Sequence, residues 1–143
     1  MLKIILFVPL MVAMCFSASI AADDSIPVVP GNYSITTTTS SNMSTNPKTD
    51  TEEQCIKDTS FNPRMSLPDD ESCTATNVKK SGNKLTYDVK CQGSEAMPSM
   101  TGKAEASTTS STVNYKIKMV GSFQGQDFSV KSNSEGKRTG DCK

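Results

Sequence analysis

Along most of this chain apolar and polar residues alternate with a period of two, the spacing of a strand with one buried face. The clearest run sets Val113, Tyr115, Ile117 and Met119 against Asn114, Lys116 and Lys118. Leu85, Tyr87, Val89 and Cys91 alternate in the same way with Thr86, Asp88 and Lys90. Tyr33, Ile35, Thr37 and Thr39 share a parity in an earlier run, and Met100, Gly102, Ala104 and Ala106 define another. Phe128 and Val130, entered through Gly125, mark a last strand. Gly82-Asn83 separates two strand-like runs and suits a two-residue hairpin loop. Such a loop pairs Ser81 with Lys84, Val78 with Tyr87 and Thr74 with Cys91, which puts Val78 on the apolar face.

Between these runs lie breaks of different kinds. Residues 40–48 form a polar loop rich in Ser, Asn and Thr. Thr51-Glu52-Glu53-Gln54 matches a capping box and predicts a short helix over residues 52–58, carrying Cys55 and Ile56. Asn62-Pro63 and Leu67-Pro68 prevent its extension, so residues 61–72 read as an ordered loop tied down by Cys73. Residues 23–30 are polar and proline-bearing and read as a flexible lead-in; residues 134–143 read as a polar tail ending at Cys142. No internal repeat or second domain is visible, which leaves residues 31–143 as a single β-rich domain. Strands apolar on one side make an antiparallel sheet with one greasy face, and that face must be covered. One short helix cannot cover it. The expectation is a mainly β fold, an antiparallel curved sheet or small barrel with one short helix.

The N-terminus adds a compartment. Lys3, an apolar run from Ile4 to Phe16, then Ser17-Ala18-Ser19-Ile20-Ala21-Ala22 ahead of Asp23-Asp24 have the order of a secretory signal peptide. It would occupy residues 1–22 and be cut near Ala21 or Ala22, placing the product in the periplasm or outside the cell. The run is too short to span a bilayer, and no later stretch is apolar enough, so no transmembrane segment follows signal removal. Cys15 lies inside the signal, and Met14 before it is too large for a lipoprotein cleavage site. The remaining cysteines, Cys55, Cys73, Cys91 and Cys142, read as a disulfide framework in an exported domain too small for a large core. The hairpin register turns Cys73 away from Cys91, so the preferred pairs are Cys55–Cys73 and Cys91–Cys142. The chain has no CxxC and no histidine, which argues against structural zinc and a redox dithiol. Met97 and Met100 are soft ligands that suit Cu(I), but a loop cap and a core position explain them more simply.

Charge and chemistry narrow the function by exclusion. Acidic and basic residues balance, at 15 each, and are scattered without a basic stripe, so neither a nucleic-acid partner nor electrostatic docking to a membrane is expected. Without histidine there is no common general base and no Ser-His-Asp or Cys-His arrangement. Neither a nucleophile elbow nor a phosphate-binding loop occurs. Asp69-Asp70-Glu71 reads as solvated loop charge, and Glu52-Glu53 as acidic residues in a first helical turn. No catalytic residue, cofactor or metal site is assigned. Asn32-Tyr33-Ser34 and Asn42-Met43-Ser44 are sequons of a kind that arises easily in a Ser/Thr-rich chain.

Several short motifs occur in a telling order. They are Pro30-Gly31-Asn32-Tyr33, Gln54-Cys55-Ile56, Cys73, Val78-Lys79-Lys80-Ser81-Gly82-Asn83, Tyr87-Asp88-Val89-Lys90-Cys91, Met100-Thr101-Gly102 and Lys137-Arg138-Thr139-Gly140-Asp141-Cys142. In that order, behind an export signal, they resemble the bacterial domain-of-unknown-function family 3617 (DUF3617). The resemblance runs from Pro30 to Cys142; members of the family usually carry Trp where Tyr33 stands and often an acidic residue where Ser34 stands. It implies an exported envelope protein and brings no activity or catalytic residues with it.

Two readings of function follow. One is a non-catalytic binding module, whose curved sheet encloses a small apolar or amphipathic ligand among Tyr33, Tyr87, Val89, Tyr115, Ile117, Met119 and Phe128. The other is an envelope interaction or structural accessory protein in which those residues simply fill a core, and a sheet edge or the Met97–Met100 loop meets a partner protein. The oligomeric state is not legible in the sequence.

Overall fold

The computed structural model describes residues 24–68, 72–94 and 98–143. The signal segment with Cys15, the acidic run at residues 69–71 and Met97 lie outside the described residues.

Among the described residues nine strands follow one another: β1 (Ile26–Pro27), β2 (Gly31–Ser41), β3 (Lys48–Ile56), β4 (Ser60–Phe61), β5 (Cys73–Ser81), β6 (Lys84–Cys91), β7 (Met100–Thr108), β8 (Thr112–Phe123) and β9 (Gln126–Gly140). Seven of them form one antiparallel sheet in the order β3-β2-β9-β8-β7-β6-β5. β5 to β9 are a meander, and β9 then pairs with β2, so the first and last long strands lie side by side. The sheet stays open, with β3 and β5 as its edges. The expected mainly β, antiparallel, disulfide-stapled fold is therefore what forms, as an open sheet and not a barrel.

Parity carries one face across all strands. Leu85, Tyr87 and Val89 on β6 oppose Ala106, Ala104 and Gly102 on β7, which oppose Tyr115, Ile117 and Met119 on β8. This face is roofed by residues 57–68, which follow β3, and by residues 24–30 ahead of β2. β1 and β4 pair as a two-stranded ribbon, and Pro63–Ser66 makes a single 3-10 turn. Ile26 and Leu67 from this roof pack with Leu85, Tyr87, Val89, Ala104, Ala106 and Met119 into one core. Thr108 Oγ1 donates to Pro27 O at 2.7 Å and fixes the roof to β7.

Four expectations are corrected. Residues 52–58 are not a helix: Lys48–Ile56 is a strand whose nine residues pair with β2 from Gly31↔Ile56 to Thr39↔Lys48. The capping-box letters sit in a solvated edge strand, where both faces are polar and the apolar periodicity that separates helix from strand is missing. Among the described residues no α-helix occurs. The lead-in is not loose, since Ile26 is fully buried. The polar tail is not a tail, because β9 continues to Gly140 in the middle of the sheet. Its inward residues there are Ser132, Ser134 and Gly136, set opposite Thr39, Thr37 and Ile35, so hydroxyls occupy the positions that greasy residues mark elsewhere.

The fourth correction concerns the cysteines. The bridges are Cys55–Cys142 and Cys73–Cys91, with Cα–Cα separations of 5.5 and 4.0 Å. The hairpin loop does pair Ser81 with Lys84, with Gly82 at φ 57° where a II′ turn needs glycine. Beyond Lys79↔Thr86 the ladder resumes at Thr76↔Asp88, so Asn77 and Val78 together oppose Tyr87. That bulge keeps Val78 against the core, as expected, and moves every later pairing by one position. Cys73 then faces Cys91. Asn77 takes φ 52°, the left-handed region that Asn tolerates better than most residues. Its side chain donates to Asp88 Oδ2 at 2.8 Å, and Lys103 Nζ donates to Asp88 Oδ1 at 2.8 Å.

Candidate functional site

The roof covers the β5–β8 half of the apolar face and leaves a hollow toward β9, β2 and β3. This pocket has a volume of about 420 Å³, within the range of small-molecule sites. β2 supplies Ile35 and Thr37, β8 supplies Val113 and Tyr115, and the roof supplies Phe61 and Met65. Gly136 on β9 forms part of its floor. A Cβ there would lie 2.6 Å from Val113 Cγ2 and 3.3 Å from Ile35 Cγ1, so glycine is what lets these two side chains pack over β9.

Polarity is graded across the pocket. On the β9–β2 side the hydroxyls of Thr37 and Ser134 are 2.8 Å apart. On the β8 side the rings of Tyr115 and Phe61 meet at 6.4 Å between centroids and 54° between planes. The Tyr115 hydroxyl is buried and has no hydrogen-bond partner among the described residues. The neighbouring Tyr87 hydroxyl shares a 2.6 Å hydrogen bond with Ser66 Oγ. Burial pushes the Tyr87 phenol well above its ordinary pKa; the Ser66 hydrogen bond opposes the rise and the Tyr115 phenol adds to it. The Tyr87 hydroxyl therefore stays protonated and can donate at neutral pH. Glu52, Gln54 and Asp58 stand among the lining on the β3 side.

The seven residues named from the sequence share the apolar face but not one site. Tyr115 lines the pocket. Tyr87, Val89 and Met119 are core, and Ile117 packs against it. Phe128 faces Gly121 at the far end of β8. Tyr33 is fully buried and donates to Val29 O at 2.7 Å, so it anchors the start of β2. The roof residues Phe61 and Met65, and Val113, were missed as lining. Phe61 and Met65 lie in short segments between prolines, where no periodicity flags them. The two sequon asparagines have structural partners: Asn32 Nδ2 donates to Glu53 Oε2 at 2.9 Å, and Asn42 Oδ1 accepts from Ser129 N at 2.7 Å. Met100 begins β7 opposite Cys91 and packs against the core. Among the described residues no group of three or more His, Cys, Asp or Glu side chains could hold a metal ion. Among the described residues no helix is long and apolar enough to cross a membrane.

Fold and pocket together define a class: an open antiparallel sheet, held by two disulfides and partly roofed on its apolar face. The family described as "Protein of unknown function (DUF3617)" matches residues 28–142, and the chain belongs to that family. No curated protein and no solved structure matches it.

Proposed function

We propose that this chain is an exported, non-catalytic binding module whose roofed pocket takes a small amphipathic ligand. The observation that carries this is the Tyr115 hydroxyl, a buried group with no hydrogen-bond partner among the described residues, in the wall of a pocket of about 420 Å³. Leaving such a group unmade costs about 1–3 kcal/mol, a penalty that a ligand acceptor removes. An apolar wall at Phe61, Met65 and Val113 facing the Thr37–Ser134 hydroxyl pair suits a molecule with one greasy and one polar end. The signal-like N-terminus and the two disulfides support an oxidising compartment such as the periplasm.

Native mass spectrometry of protein purified from its own host tests this. Wild type should carry a bound small molecule, and Ser134→Leu, which fills the pocket, should carry none. Tyr115→Phe separates the readings further. If a ligand satisfies the hydroxyl, the phenylalanine variant binds it at least about tenfold more weakly. If the pocket is never occupied, that variant is simply more stable than wild type, and the binding reading fails.

The interaction reading loses support at the sheet edges. β3 is solvated along its length and carries Lys48, Asp50, Glu52 and Glu53, while β5 is bent by its bulge. Charge and bulges are how edge strands avoid pairing with another chain.

A further inference from the structure

The sheet face opposite the core carries a second hollow, of about 760 Å³, and its floor is basic. The lysines involved are scattered in sequence, and the strand register gathers them. Lys103 on β7 pairs directly with Lys118 on β8, and Lys118 pairs directly with Lys131 on β9. Directly paired side chains on neighbouring antiparallel strands stand about 5 Å apart at Cβ, and like charges so placed repel. Lys116 lies two residues along β8 on the same face. All four line the hollow.

The carboxylates nearby are committed elsewhere. Asp88 holds Lys103 at 2.8 Å and Asn77 at 2.8 Å. Glu105 faces Lys116 across the ladder but pairs with Lys84 at 2.7 Å. Lys116, Lys118 and Lys131 make no ion pair with any described residue. Three uncompensated ammonium groups on one hollowed surface raise the local anion concentration, because a cleft focuses the field. Alternation puts Tyr87, Tyr115 and Phe128 on the other face, so no aromatic platform for stacking bases is offered here. Asn133 and Ser40 add neutral polar groups beside the lysines.

We propose that this hollow is a binding site for a ligand carrying two or more closely spaced phosphate groups. Lysine acts on phosphate as a point charge, and a row of neighbouring-strand lysines spaces such charges over roughly 10 Å. The site is independent of the roofed pocket, from which the sheet itself separates it.

Titration calorimetry with inorganic tripolyphosphate tests it on the full mature protein. Saturable binding is expected at about 20 mM salt, weakening about tenfold by about 200 mM. Lys118→Ala with Lys131→Ala should weaken it at least about tenfold, whereas Lys48→Ala, on the distant edge strand, should leave it unchanged. Glu105→Gln removes a carboxylate from the hollow and should tighten binding about two- to threefold, an outcome no folding defect mimics. Vesicles of phosphatidylcholine with and without phosphatidylglycerol identify the source. Capture that needs the anionic lipid and both lysines, and that tripolyphosphate competes away, assigns a lipid headgroup; tripolyphosphate binding with no capture assigns a soluble ligand. Absence of saturable tripolyphosphate binding at low salt, or binding unaltered in the double-lysine variant, would overturn the proposal.

Discussion

Replacing Asn77 by alanine and by glycine tests the device on which the N-terminal half of the hairpin depends. Asn77 sits at φ 52°. A residue with a Cβ and no short polar group to compensate loses about 1 kcal/mol or more in that region, while glycine loses none. Both replacements also remove the hydrogen bond to Asp88, so that loss cancels in the comparison between them. Asn77→Ala should therefore be about 1 kcal/mol less stable than Asn77→Gly, reversing the order expected at an ordinary strand position, where glycine is the worse residue. For a chain of this length the difference amounts to roughly 3–5 °C in Tm. Urea unfolding of the oxidised proteins, followed by far-UV circular dichroism, reads it as a shift in midpoint at constant slope. Alanine as stable as glycine would mean that no left-handed residue sits at position 77, and that the bulge does not set Cys73 opposite Cys91.

Other consequences of the structure are as direct. Deleting Asn77 outright should leave Val78 opposite Tyr87 and Cys73 opposite Cys91, so peptide mapping should still find that bridge; the straightened edge strand should make the protein more prone to self-associate by light scattering. Replacing Cys55 and Cys142 by alanine opens a link across 87 residues and should cost about 4–5 kcal/mol, against about 3 kcal/mol for the bridge across 18 residues between Cys73 and Cys91; equal midpoints for the two double variants would contradict this. Lys103 first, and then Asn77, hold the Asp88 carboxyl below its ordinary pKa. A depressed folded value stabilises the protein above the unfolded value and less so as acid is added. The advantage of wild type over Asp88→Asn should then be full above about pH 4 and shrink below it; an advantage that grew on acidification would refute the arrangement.

Period-two alternation was enough to place β5 to β8, the start of β2, and the shared apolar face of Tyr33, Tyr87, Val89, Tyr115, Ile117, Met119 and Phe128. That pattern is local: burial of one face imposes it on every strand that touches the core, and a glycine pair such as Gly82-Asn83 shows where the chain reverses. The order of short motifs around four cysteines was likewise enough to point to the family. Legibility ended where no greasy face was present. β3 is solvated on both sides and the second half of β9 turns hydroxyls inward, so neither carries the signal, and only pairing with β2 makes them strands. The cysteine connectivity rested on a single residue, Asn77, whose extra place in the ladder shifts Cys73 into reach of Cys91. A bulge leaves little mark in composition because it is a property of two strands together. The pocket and the lysine row belong to the same category. The Tyr115 hydroxyl lacks a hydrogen-bond partner among the described residues, and Lys103, Lys118 and Lys131 stand side by side, because of register between segments far apart in the chain, and register is decided when the sheet assembles.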